Sequence, residues 1–258
     1  MFYMKVMKMK KNKAVKNMVI AIAWIAIWQA LAMIINEPLI LVSPFRVIVR
    51  LFSLLPNAYF YSSVLVSALR ILCGYLLGMS IGTMLAVLSA RFNMIRDFLS
   101  PFMAAIKAVP VASFTILALF LISSKNLSVL VTFLIALPIV YSNILTGIDS
   151  ADKKLLEAAR LFGVTPLKKT VYVYFSQVLP YFKAASATAS GLSWKSGIAA
   201  ELIVIAAGSI GERLYEAKVS FEMVDLFAWT LVLILMSYLT ELAFRKLTDL
   251  SWRLIQKF

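Results

Sequence analysis

Long apolar runs alternate along this chain with short polar and charged breaks. Residues 17–36 carry no charge, and residues 62–90 are interrupted only by Arg70. A third run, 98–124, contains Pro101, Lys107 and Pro110; a fourth, 126–148, is uncharged with Pro138 inside it. The fifth, 184–208, holds Lys195 and Glu201, and the sixth, 226–244, holds Glu241 near its end. A bilayer core takes about 20 apolar residues per helix. The pattern therefore predicts an all-α polytopic membrane protein with about six transmembrane helices. Short connections such as 123–126 predict antiparallel neighbours. The first run follows a basic stretch, and Ala30-Leu31-Ala32 is like a signal-cleavage site. It is longer than the roughly 7–15 apolar residues of a signal peptide, so it is expected to stay as a helix. Residues 1–16 then form a basic tail and 17–258 a single membrane domain.

Composition supports the same solvent. Apolar residues make up 62% and charged residues 15% of the 258, against about 25% charged in a soluble domain; mean hydropathy is +0.90. The chain has no histidine, which removes Ser-His and Cys-His nucleophile pairs and histidine zinc sites. The one cysteine, Cys73, cannot form a disulfide within the chain. No glycine is followed by Lys-Ser or Lys-Thr, so no phosphate-cradling loop for ATP is expected here. No cofactor and no enzymatic activity are expected of this chain.

Charge sets the expected orientation. Eighteen lysines and arginines fall on the side that holds both termini and the breaks at 91–96 and 150–183. Five (Arg46, Arg50, Lys125, Arg213 and Lys218) fall on the other. Cytoplasmic loops carry the basic excess, so both termini are expected in the cytoplasm of a plasma-membrane protein. The net charge of +14 follows from that rule and from attraction to an anionic leaflet. It calls for no nucleic acid.

One cytoplasmic break, 150–175, is unlike the others. It contains EAARLFGVTPLKKT at 157–170. Asp152 or Ser150 can cap a short helix and Gly163 can end it; Leu155, Ala159 and Phe162 share one face. Thr165 can cap a second helix with Pro166 at its first position. Such a knob suits either an amphipathic loop on the bilayer or a docking surface.

Its residues resemble the EAA motif of ABC importer permeases: Glu157-Ala158-Ala159, then Gly163, with Val173 ten positions on. Other elements are similar to the sulfonate, taurine and nitrate-type branch. They are Arg70-x3-Gly74-x3-Gly78-x3-Gly82, Lys107-Ala-Val-Pro110, Leu179-Pro180 opening a helix, Ala200-Glu201, and Gly208-Ser-Ile-Gly211 as a turn outside the membrane. Departures are Phe175-Ser176, Ile116 and Ser123, where many relatives have Leu-Pro, proline and glycine. The resemblance covers roughly residues 15–255. It implies a membrane permease subunit, expected to pair with a second copy of itself. It also implies a cytoplasmic ABC ATPase dimer that uses ATP and Mg, and an extracytoplasmic substrate-binding protein. Glu157, Ala158, Ala159, Arg160 and Gly163 would couple to the ATPase. A self-contained secondary transporter or channel would need no ATPase, and would leave the knob without a use.

Within the spans, Gly74, Gly78 and Gly82 make a small-residue stripe suited to close helix packing. Arg70, Lys107, Lys195 and Glu201 are charges that must pair or line water. Counted from their helix ends, Arg70 and Glu201 match in depth, so they are expected to pair, and an exchange of the two should partly restore function. Lys107 and Lys195 are expected to share a deeper level and, in a dimer, to ring the path of an anion.

Overall fold

The computed structural model describes residues 2–165 and 173–255, and every regular element among them is helical. In chain order these are α1 (Phe2–Ile35), α2 (Pro44–Leu54), α3 (Ala58–Arg91), α4 (Asn93–Ala108) and α5 (Val111–Ala118). There follow α6 (Ser124–Asp149), α7 (Lys153–Leu161), α8 (Phe175–Val204), α9 (Ile210–Val219) and α10 (Met223–Ile255).

Among the described residues four helices are long and apolar enough to cross a bilayer: Val15–Ile35 of α1, α3, α6, and Met223–Leu250 of α10. α4 and α5 qualify only as a pair, and they meet at 99°. The third run is therefore bent. Pro110 has no N–H with which to continue α4, and a residue before proline is pushed out of helical geometry. Val109 accordingly turns extended, at φ −73° and ψ 126°. α8 is 30 residues long but too rich in serine, glycine and charge to pass on apolarity. It begins at Phe175, so Leu179-Pro180 lies inside the helix and not at its start.

Hydropathy does not predict α2 or α9. Ser43 caps α2, with Pro44 at its first position, as the unpaired N–H groups of a helix start favour. Asp225 of α10 holds Arg50 of α2 through both carboxylate oxygens, the Nη2–Oδ2 contact being 2.7 Å. That hydrogen bonding raises the Arg50 pKa above its ordinary value.

α3, α6 and α8 make the most extensive helix contacts, and small residues let them approach. A Cβ at Gly74 would press on the Val129 carbonyl and lie 2.9 Å from Thr132 Cβ. At Gly78 it would be 2.5 Å from Ala136 Cβ, and at Gly82 3.0 Å from Val140 Cβ. The contacts advance four residues at a time on both helices, so α3 and α6 run parallel. Gly197 of α8 sits against Ile71 and Thr132, while Tyr181 covers Gly147; α8 therefore runs antiparallel to α6. Gly74, Thr132 and Gly197 form one layer of the core. An apolar cluster around Ile71, Trp194, Ile210 and Trp229 lies toward α9, and another around Met79, Val140, Tyr141 and Ile144 toward α7. α1 stands nearly clear of this core: between residues 15 and 35 only Ala32 is buried.

Candidate functional site

The α7 knob is capped at both ends and tied to α8 at its start. Asp152 Oδ1 accepts from Lys154 N at 2.8 Å, which caps the helix, and Asp152 N donates to Gln177 Oε1 of α8 at 2.7 Å. At the other end Gly163 takes φ +64°, the left-handed conformation that glycine adopts without penalty. Val164 N then returns to Ala159 O at 2.9 Å, closing the last turn as glycine helix caps do. Ala159 is buried and Ala158 half-buried, whereas Glu157 is exposed. Leu155 is exposed too, and Leu161 and Phe162 stand out at 87% and 85%. The predicted apolar face therefore has only Ala159 against the chain's own core. Arg160 lies in α7's last turn. The second short helix expected from Pro166 onward, with Lys168 and Lys169, falls on residues outside the described ones.

A second polar centre lies beyond the Gly74–Thr132–Gly197 layer, toward α9. The structure brings Arg70 of α3 and Glu201 of α8 together, with Nη1 and Oε1 3.8 Å apart. Glu201 is fully buried. Its other oxygen accepts from Ser67 Oγ at 2.6 Å and from Gly211 N at 3.4 Å. A buried charge persists only with such partners. The geometry withdraws the expected rescue by charge exchange. Arginine at 201 would set a guanidinium, which has no acceptor, against the Gly211 N–H and the first turn of α9.

The two lysines are not brought to one level. Lys107 Nζ donates to Ser142 Oγ at 2.7 Å. In the register set by Gly147–Tyr181 and Thr132–Gly197, Ser142 is level with residues 186–187 of α8. Lys195 lies about eight residues further along, roughly 12 Å. Both lysines are exposed, and neither forms an ion pair among the described residues. Lys195 shares its exposed stripe of α8 with Ala184, Thr188, Gly191 and Ala199. A Cβ at Gly191 would meet nothing within 4 Å.

Sequence reasoning missed Ser63, Ser67 and Gln177. For the two serines a signal existed: Ser63, Ser67 and Arg70 continue the Gly74–Gly78–Gly82 face outward at helical spacing.

Residues 74–250 match the family described as binding-protein-dependent transport system inner membrane component. Over 219 residues the chain is 25% identical to a "probable ABC transporter permease protein" of Brucella melitensis biotype 1, covering 81% of this chain and 87% of the relative. It is 24% identical over 155 residues to a nitrate import permease protein of Synechococcus elongatus, covering 60% and 55%. The crystal structure of an amino acid ABC transporter with histidines shares the fold, at TM-score 0.57 and 19% identity over 76% of this chain and 93% of that one. The match spans most of the chain and takes in α7, Lys107, Lys195 and Glu201: this protein belongs to the binding-protein-dependent inner membrane components and is a multi-pass ABC transporter permease subunit.

Proposed function

We propose that this permease imports a small anion, as a homodimer with its pathway between the two copies. Two cytoplasmic ATPase subunits would drive it, using ATP and Mg, and an extracytoplasmic binding protein would deliver the solute. The observation that carries the coupling is the tip of α7. Leu161 and Phe162 project from a short helix that is capped at both ends and tied to α8 at its start, a form suited to seating in a partner's groove. ATPase closure would pull on α7, and Gln177 would pass the pull to α8. Flux that persists without ATP would instead fit a self-contained transporter.

In this reading the α7 end is cytoplasmic, with both termini, and α9 lies outside. In intact cells, with Cys73 replaced by serine, a cysteine at Lys154 is expected to resist a membrane-impermeant reagent. A cysteine at Glu216 is expected to react. The opposite pattern overturns the orientation.

The anion assignment rests on Lys107 and Lys195, two exposed ammonium groups without carboxylate partners among the described residues, spaced along the path as successive steps. The likeness to a nitrate permease points the same way. A positively lined path raises the local concentration of anions, so Lys107→Gln with Lys195→Gln should lower uptake of nitrate, taurine or a small sulfonate by about tenfold or more. The amount of folded protein should not change. Full uptake by the double variant removes the anion path and leaves the lysines structural.

A further inference from the structure

The segment from Ile205 to Phe221 has the outward form of a hinged lid. α9 sits between left-handed residues, with Ile205 at φ 50° and Gly208 at φ +71° before it and Phe221 at φ 57° after it. The contacts across it say the opposite. Ser63, Ser67 and Arg70 present one polar face of α3 to it. Arg213 Nε donates to Ser63 Oγ at 3.3 Å. Ile210 N donates to Ser67 Oγ at 2.8 Å, and the same hydroxyl donates onward to Glu201 Oε2 at 2.6 Å.

The first N–H groups of a helix have no acceptor in their own helix, and here each has been given one. Ile210 N has Ser67, Gly211 N has Glu201, and Glu212 N has Ser209 Oγ at 3.0 Å. Glu212 reaches back to Gly208 N at 2.7 Å, a variant of the capping box. Ser63, Ser67, Glu201 and Ser209 are all fully buried. Gly211 packs so closely on the Glu201 backbone that a Cβ would not fit.

We infer that Ser67 is a positioning residue whose single hydroxyl clasps α9 to α3 and α8, making α9 a fixed part of the wall and not a lid. The chemistry requires a group that both accepts and donates at one point, which a hydroxyl does. Segments that open locally have few buried contacts and solvent-exposed hydrogen bonds, and α9's first turn has neither. The two left-handed flanks serve the tight turns that bring α9 onto α3. This inference stands whatever the solute, because it concerns the resting wall.

Hydrogen exchange on the full chain in lipid nanodiscs tests it without any partner. The amides of Ile210 and Gly211 are expected to exchange as slowly as those in the middle of α8. Ser67→Ala leaves the Ile210 N–H without its acceptor and Glu201 Oε2 with only the longer Gly211 contact, so exchange across 208–213 should rise by about tenfold or more. Protection at the α3–α6 contact should remain, and Ser67→Thr, which keeps the hydroxyl, should restore slow exchange at 208–213. Arg213→Ala, at the rim of the clasp, should give a smaller rise in the same segment. Fast exchange at Ile210 and Gly211 in the unaltered chain makes α9 a lid and overturns the inference. Unchanged exchange in Ser67→Ala does the same for Ser67.

Discussion

Replacing Gly163 with valine is expected to abolish ATP-driven uptake while the protein still inserts in its normal amount. Among the described residues nothing lies within 4 Å of the position a Cβ would take, so the substitution causes no collision with them. The damage comes from the backbone alone. Gly163 holds φ +64°, where an L-residue is strained by about 1–2 kcal/mol, and a β-branched side chain is among the least tolerant. Relief of that strain breaks the Val164–Ala159 turn and sends the following chain elsewhere. α7 would remain helical, because its Asp152 cap is untouched, but Leu161 and Phe162 would no longer be presented at a fixed angle. Glu157→Lys should act on the same step by a different route, reversing an exposed charge on the face proposed to meet the ATPase. In both variants ATP hydrolysis should stop responding to loaded binding protein. Normal uptake by both would end the assignment of α7 as the coupling element.

The other large effect falls on the packing of α3 against α6. Gly74→Ala, Gly78→Ala and Gly82→Ala should destabilise in that order, and Gly191→Ala should not. At Gly74 the new methyl meets the Val129 carbonyl, which cannot yield without moving α6. At Gly78 it meets the Ala136 methyl at 2.5 Å, and at Gly82 the nearest atoms are at 3.0 Å, a few tenths too close. Overpacking of this kind costs about 1–3 kcal/mol. Gly191 faces open space in mid-helix, where alanine is favoured over glycine by about 0.5–1 kcal/mol. Thermal unfolding of the four purified variants in one detergent gives the order directly. Gly74→Ala matching Gly191→Ala in stability would contradict the close α3–α6 contact.

Properties set by one stretch of chain were legible without a structure. Hydropathy is summed along a segment, so the apolar runs announced a helical membrane protein, and the positions of lysine and arginine suggested which ends face inward. The backbone demand at Gly163 is local too: a glycine just past a short amphipathic helix marks its end, and the left-handed turn is there. The EAA-like residues around it carried the resemblance that the family match supports. Properties set between stretches were not legible. Pro110 was visible inside the third run, which reads as one span, but the 99° angle between α4 and α5 at that point was not legible. Lys107 and Lys195 had similar distances from their helix ends, yet the Lys107–Ser142 contact and the register of α6 on α8 separate them by about two turns. The Arg70–Glu201 match in depth was readable, but Glu201's stronger contacts were not. Ser67 is 134 residues away from it in the chain, and Gly211 approaches only because α9 folds back onto α3. Local geometry follows from each residue's own covalent restrictions and solvent preference. Which side chains meet across helices depends on register and packing between distant segments, and only the tertiary structure decides it.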